Sequence, residues 1–582
     1  MTEQIPHTSA APIGVVGLGS TGEALLLLLH ATGHRVVGVD TDLDALARVG
    51  TRAKAAPAPD GTPEPVLTDD PRRLRGVRLV VEAVPEDRDV KTGVLRGIAE
   101  VCPPGTPLLT TTASLSVARL GIACGRPADL AGLRLFTPPA PGGPAEPVPT
   151  GLTSGETAAA VRELVASAGL TEVEVGAGPA ADAGALVLGL LNSAVVLCSE
   201  GYAPHEDVDT AMRLGCGLPA GPLETLDRIG LDTVHAALTE LWRRTGDTAF
   251  EPAPLLSRMV AAGRLGRKSG GGFYAYDETG ALVRERGDAP DETGARPVRR
   301  VGVLGSGAMA RGIAEVTALA GHPTVLVARS TAKAEAALES VAGSLTRAVR
   351  RGKVTPAARQ AAVERLDATT GLDAFAGCDL VIEAVAEDPD VKRAVFAELG
   401  EVCAPGTVLT TTTSSLSVAA VAEASGRPAD VVGLHFFNPA PVMRLVELAH
   451  APGSAPGTLA TARAFCRGLG KTVVECPDRT GFIVNSLLFP YLGAALALLD
   501  RPGADDRLVE RTDAAVERGF GYPMGPFALL DTIGLDVSLA IQHRLFEHFE
   551  TPEHRPSDAL AELVSAGLLG RKNRRGLRTA AL

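Results

Sequence analysis

The chain contains no apolar run approaching the roughly 18 residues that a membrane-crossing helix needs. Its start, MTEQIPHTSAAP, lacks a basic segment followed by an apolar core, so no secretory signal is expected. Positive charge is not in excess. The formal net charge of −12 argues against a general affinity for nucleic acid or for an anionic membrane surface. The eight cysteines form no CxxC pair and no Cys/His cluster. Zinc-site and disulfide-framework spacings are therefore missing, no metal is expected, and inert thiols in a reducing cytoplasm are the expectation.

At 582 residues the chain is too long for one core, and about four domains are expected at roughly 150 residues each. It is written twice. The segment VEAVPEDRDVK…EVCPPGTPLLTTTASLSV…GLRLFTPPAP returns as IEAVAEDPDVK…EVCAPGTVLTTTTSSLSV…GLHFFNPAPV. From Glu82/Glu383 to Glu146/Glu447 the copies run without a gap at a constant offset (383 − 82 = 301; 447 − 146 = 301). What both copies keep is needed to fold; what one copy keeps is a candidate for function.

Each copy opens on a short β-branched strand, a glycine-rich turn, an apolar helix and a second strand. Further strand-like runs follow in the first copy, namely LVVEAV, PLLTTT, AGLRLF and TEVEVG. Alternating β and α elements predict a Rossmann-like, mostly parallel sheet with helices on both faces. The expected order is a Rossmann-like domain over 12–180, a helical domain without strand signal over 181–276 and a charged linker over 277–300. A second Rossmann-like domain over 301–478 and a second helical domain over 479–582 complete it. The fold class is thus an α/β domain plus an all-α domain, the pair duplicated in tandem.

Gly17, Gly19 and Gly22 form GxGxxG between strand and helix, and Asp40 ends the second strand. The glycines allow a tight turn and a close approach of pyrophosphate to the helix N-terminus, while Asp40 can accept hydrogen bonds from an adenosine ribose, which suits NAD. An empty Rossmann turn is the alternative, so this is a possible vestigial cofactor site. In the second copy the fingerprint is Gly305, Gly307 and Ala310. Ala328 stands where Asp40 stands, followed by Arg329 and Ser330. Loss of the carboxylate removes a ribose partner and also a repulsion against a 2′-phosphate, which a guanidinium can pair. NADP(H) is therefore preferred for the second copy. NAD(H) is the alternative, with Arg329 stacking on adenine.

GLHFFNPAPVMRLVEL, followed by DRTGFIVNSLLFPYL and GYPMGPFALLDTIGLD, closely resembles the 3-hydroxyacyl-CoA dehydrogenases, including 3-hydroxybutyryl-CoA dehydrogenases. The resemblance covers nearly the whole chain as two tandem units. It implies reversible hydride transfer between a nicotinamide cofactor and C3 of a 3-hydroxyacyl or 3-ketoacyl thioester, on CoA or on an acyl carrier. It also implies that His435 is the general acid/base, that Glu447 orients it, and that Ser414 and Asn485 hydrogen-bond the substrate oxygen. Thr412 stands where the family carries Asn. Glu387 and Lys392 match family positions near the cofactor, although Glu86 and Lys91 repeat them in the first copy, which suits a structural role equally well. A helical insertion after the second strand helps hold CoA in the family. The second copy has it: Ala328 to Leu380 spans 52 steps against 39 from Asp40 to Leu79 (380 − 328; 79 − 40). Arg350, Arg351 and Lys353 at its end either meet CoA phosphates or form a solvated helix end.

The first copy has Ala113 at the place of Ser414, Arg134 at that of His435 and Leu188 at that of Asn485; Glu146 alone persists. An arginine stays protonated at physiological pH and cannot act as a base. The first copy is expected to be inactive and structural. The family's usual dimer, formed through helical domains, implies an intramolecular pseudo-dimer of the chain's own two helical domains, the chain being a monomer or assembling further.

Overall fold

The computed structural model describes residues 11–112, 115–135, 138–172, 181–283, 292–500 and 507–578. The first unit opens with β1 (Ile13–Val16), β2 (Val36–Val39), β3 (Val66–Thr68), β4 (Leu79–Glu82), β5 (Leu108–Thr110), β6 (Leu130–Leu135), β7 (Pro144–Val148) and β8 (Thr171–Glu172). They form one sheet in the order β3-β2-β1-β4-β5-β6-β7-β8. All neighbours are parallel except β6 and β7, which are antiparallel. The central strands are buried along their whole length because helices cover both faces. The rest of the TEVEVG run beyond Glu172 lies outside the described residues.

From helix Ala181–Ser199 onward the first unit is helical. Two short strands fall where no strand up to residue 276 and a charged linker over 277–300 were expected. A small hairpin, β9 (Ala275–Tyr276) and β10 (Leu282–Val283), spans that boundary, its turn closed on the Asp277 carboxylate by Thr279 and Ala281. The end of the linker is anchored on the second unit. Arg296 donates its amide to Thr461 Oγ1 at 2.9 Å, and the amides of Arg299 and Arg300 share Asp379 Oδ2.

The second unit repeats the sheet with β11 (Val301–Leu304), β12 (Thr324–Val327), β13 (Leu366–Thr369), β14 (Leu380–Glu383), β15 (Val408–Thr411), β16 (Val431–Phe436), β17 (Leu445–His450) and β18 (Thr472–Pro477). Order and directions are the same, with β16 and β17 antiparallel. After β12 come helices Thr331–Arg350 and Pro356–Glu364, where the first unit has helix Leu43–Ala55 alone; prolines at 57, 59, 63 and 65 stop any extension there. Two Rossmann-like sheets, each followed by a helical part, make up the tandem fold.

The two helical parts are packed on each other within the chain. Helix Ala181–Ser199 lies against helix Val484–Leu496, and one continuous apolar core runs from Leu190 and Val208 of the first unit to Leu445, Val484 and Leu535 of the second. At its edge Arg479 pairs with Glu200 at 2.7 Å and lies over the Tyr202 ring, whose hydroxyl donates to the Pro477 carbonyl. Among the described residues no helix is long and apolar enough to cross a membrane.

Candidate active site

Antiparallel pairing of β16 with β17 sets His435 directly opposite Glu447. His435 Nδ1 lies 2.6 Å from Glu447 Oε2, and both side chains are buried. The other carboxylate oxygen accepts the amides of Ile483 and Val484 at 3.1 and 2.9 Å, at the start of helix Val484–Leu496. Two backbone donors at a helix N-terminus thus fix the carboxylate in place. With Nδ1 held, Nε2 is the ring nitrogen left for substrate. The imidazole is flanked by Phe437, 4.5 Å between ring centroids, and by Phe482 at 5.7 Å.

Asn485 follows Val484 in the first turn of the same helix and is buried. Ser414, half-buried on the loop after β15, is joined to Glu387, which accepts its amide at 2.9 Å. Glu387 also accepts the Thr413 hydroxyl at 2.6 Å and the amide and hydroxyl of Ser415 at 3.2 Å. Burial pushes the Glu387 carboxyl up, but the Lys392 ammonium at 3.4 Å and these donors outweigh it and hold the carboxyl below its ordinary value. Thr413 and Ser415, buried partners of this network, were not singled out from the sequence; a run of four threonines and two serines gives no signal as to which hydroxyl points inward.

Lys392 is fully buried and donates to both oxygens of Glu383 at 2.8 Å. Lys91 and Glu82 repeat the pair in the first unit. The ammonium is thus engaged beneath the sheet.

The glycine loops follow β1 and β11 at the carboxyl edge of each sheet, beside the point where strand order reverses. Gly17 and Gly305 have φ of +89° and +129°. A side-chain carbon at Gly305 would sit 2.4 Å from the Ala384 carbonyl oxygen, so only glycine serves. By contrast, a side-chain carbon at Gly19 or Gly307 would meet nothing within 4 Å. Their value is the open backbone presented to a ligand, and a dinucleotide pyrophosphate fits that cradle. A carbon at Gly22 would lie 1.8 Å from the Gly17 carbonyl oxygen, whereas the second unit accommodates a buried Ala310 at the matching place. The ends of β2 and β12 correspond: the Asp40 amide donates to the Thr68 carbonyl and the Ala328 amide to that of Thr369. Asp40 accepts the amides of Leu18 and Asp42. Ala328 is buried, Arg329 and Ser330 are exposed, and the Ser330 hydroxyl caps helix Thr331–Arg350 at Lys333. Arg350, Arg351 and Lys353 are exposed at the far end of that helix.

In the first unit Arg134 faces Glu146 at the same register, Nη1 to Oε2 at 2.5 Å. A cavity of about 780 Å³ runs from Gly19 and Asp40 past Arg134 to Leu188, with Phe520 of the second unit in its wall. Ala113 lies outside the described residues. Among the described residues no group of three or more His, Cys, Asp or Glu is placed to hold a metal.

The 3-hydroxyacyl-CoA dehydrogenase NAD binding domain matches residues 12–178 and again 300–479, and the C-terminal domain of that family matches 184–276 and 481–580. A 3-hydroxybutyryl-CoA dehydrogenase of Mycobacterium tuberculosis is 43% identical over 284 residues, 48% of this chain and 98% of that protein. A 3-hydroxyadipyl-CoA dehydrogenase of Escherichia coli is 41% identical over 281 residues, 48% of this chain and 58% of its own. The crystal structure of a 3-hydroxybutyryl-CoA dehydrogenase from Escherichia coli is 22% identical and covers 96% of this chain and 100% of its own, with a TM-score of 0.58. That likeness extends the shared fold over both units. With both family domains present twice and in order, the chain belongs to the 3-hydroxyacyl-CoA dehydrogenase family.

Proposed function

We propose that the second unit interconverts 3-hydroxyacyl and 3-ketoacyl thioesters, working mainly as an NADPH-dependent reductase, and that the first unit is its inactive structural partner. The observation that carries this is the His435–Glu447 pair anchored on the amides of Ile483 and Val484. A bound nicotinamide supplies or accepts the hydride at C3. In the reductive direction the imidazolium of His435 gives its Nε2 proton to the oxygen of the ketone; in the oxidative direction neutral Nε2 takes the hydroxyl proton. Glu447 keeps the proton on Nδ1 and stabilises the imidazolium, as a carboxylate behind a histidine does. Ser414 and Asn485 are assigned to the substrate oxygen, and Gly305, Gly307 and Ala310 to the pyrophosphate.

Ala328 with the exposed Arg329 favours NADP(H): no carboxylate repels a 2′-phosphate and a guanidinium stands free in solvent to meet it. Eight free cysteines suit a reducing cytoplasm. The first unit is assigned to burying the second unit's dimerisation face, since Arg134 cannot take a proton. The test is initial rates with NADPH and NADH on short and long 3-ketoacyl-CoAs. NADPH is expected to be preferred. A preference for NADH of about tenfold, roughly 1.4 kcal/mol in transition-state terms, overturns the reading of Arg329 in favour of an oxidative NAD enzyme. No turnover of either cofactor on any such thioester favours a dinucleotide-binding scaffold.

A further inference from the structure

The catalytic pair of the second unit is backed by the first unit. Helix His205–Gly215 packs on β17, which holds Glu447, and on the edge strand β18. A side chain on its last residue would press on three side chains, each of which would have to give by a few tenths of an ångström. A carbon on Gly215 would lie 3.0 Å from Val484 Cγ2, 3.1 Å from Leu445 Cδ2 and 3.3 Å from Phe437 Cε1. All three neighbours belong to the second unit and bear on the pair. The Val484 amide holds Glu447, Leu445 stands two residues before Glu447 on the same face of β17, and the Phe437 ring lies against His435. The next residue, Cys216, is half-buried near the same carboxylate. Its thiol is pushed up to about 12 by burial and by the charge of Glu447.

The reverse contact differs. Asp209 accepts the amides of Leu223 and Glu224, and Asp513 those of Phe527 and Ala528, so the helical parts align at a constant offset (513 − 209 = 304; 527 − 223 = 304). At that offset Cys216 corresponds to Phe520, which reaches into the wall of the cavity holding Arg134. Each helical part thus touches the other unit's site. Both helical parts carry a glycine at the matching place near the end of this helix, Gly215 and Gly519, but the residue that follows differs: the site that keeps its histidine is met by a small thiol, the site that lost it by a phenyl ring.

We propose that Gly215 and Cys216 of the first unit are positioning residues for His435 and Glu447 of the second, fixing Val484 and Phe437 and through them the carboxylate and the imidazole. The proposal rests on that pair carrying the reaction. Proton transfer depends on donor–acceptor geometry at the sub-ångström level, so a wall displaced by a few tenths of an ångström costs rate rather than substrate binding.

Gly215→Val in the full chain tests it. The expected result is a fall in kcat of about tenfold or more with the KM for the dinucleotide changed by less than about twofold. The acidic limb of the kcat/KM profile should also move by about half a pH unit or more, because the environment of the imidazole has changed. Val484→Ala in the same chain empties the space the new side chain needs while leaving the amide on Glu447. The double variant should therefore regain most of the lost kcat and the original pH limb. An unshifted pH limb, or losses that simply add in the double variant, overturns the proposal. If Gly215→Val does not accumulate as folded protein, Gly215→Ala is subject to the same criteria. His435→Ala separates the two readings. If it stays active, the pair does not carry the reaction and the proposal falls with it; if it is dead while Gly215→Val keeps its rate and pH limb, the positioning role alone fails.

Discussion

At the facing positions of the antiparallel strand pairs the two units differ by one side chain. Glu447 meets an imidazole and Glu146 a guanidinium, at 2.6 and 2.5 Å. Only the imidazole can release and regain a proton near neutral pH. Other residues have not diverged between the two units. Lys392 on Glu383 and Lys91 on Glu82 make the same ion pair, completed by the amide of Val385 or Val84 and the hydroxyl of Thr411 or Thr110. A carboxylate held by these donors and buried without exposure cannot lose its cation cheaply. Lys392→Met is expected to destabilise the protein by about 3–5 kcal/mol, because it leaves Glu383 charged and unmatched. Denaturant unfolding measures this, and the KM for the dinucleotide of the surviving folded protein should change by less than about twofold. A selective loss of nucleotide affinity at unchanged stability would instead return Lys392 to the cofactor site.

Among the elements, the helical parts carry their own repeated device, a buried aspartate that caps the next helix. Asp209 accepts the amides of Leu223 and Glu224 and the hydroxyl of Tyr274; Asp513 does the same at Phe527 and Ala528, with Arg578 in the place of the tyrosine. Burial pushes the Asp209 carboxyl up to about 7, against the pull of its three donors. The folded value thus lies above the unfolded value of about 3.9, so the folded chain keeps this proton longer than the unfolded chain. Stability from this group is greatest below the lower value, falls as pH rises through the window up to about 7, and is level beyond it. Asp209→Asn has no proton to lose. The advantage of the natural chain over Asp209→Asn should be larger at pH 5 than at pH 8 by about 1 kcal/mol or more, from unfolding midpoints at each pH. An advantage that grows with pH contradicts the assignment.

The elements also separate what the sequence could tell from what it could not. The βαβ openings and the glycine loops were legible because each is local or repeated at a fixed offset, whereas the His435–Glu447 pair was read from the resemblance of its strand segment to the family. β7 was not: PAEPV carries two prolines and reads as a loop, yet it pairs antiparallel with β6 and carries Glu146. The hairpin of β9 and β10 was hidden by strands of two residues each. Nothing in the spacing pointed to Gly215, because the residues that would crowd a side chain there lie more than 200 positions away and come together only through tertiary packing.

For the whole molecule the asymmetry is one of dependence. Helix Val484–Leu496 has 10 of its 13 residues buried. A helix buried almost all round needs cover on more than one side. Its own unit covers one side, and helix Ala181–Ser199 of the first unit covers another. The same helix begins with the Val484 amide that holds Glu447 and carries Asn485 in its first turn. Removing residues 1–280 would expose this apolar face and withdraw the seat of Val484 at Gly215 at once. An uncovered apolar patch of this kind drives association with whatever will bury it. The shortened chain is therefore expected to aggregate or, where a fraction stays soluble by pairing with a second copy of itself, to have lost most of its kcat. Size-exclusion chromatography with light scattering, run beside rate measurements on the same fractions, distinguishes these outcomes from independence. A monodisperse, monomeric and fully active remnant would mean that the second unit needs no partner, and that the first unit persists for a reason other than packing.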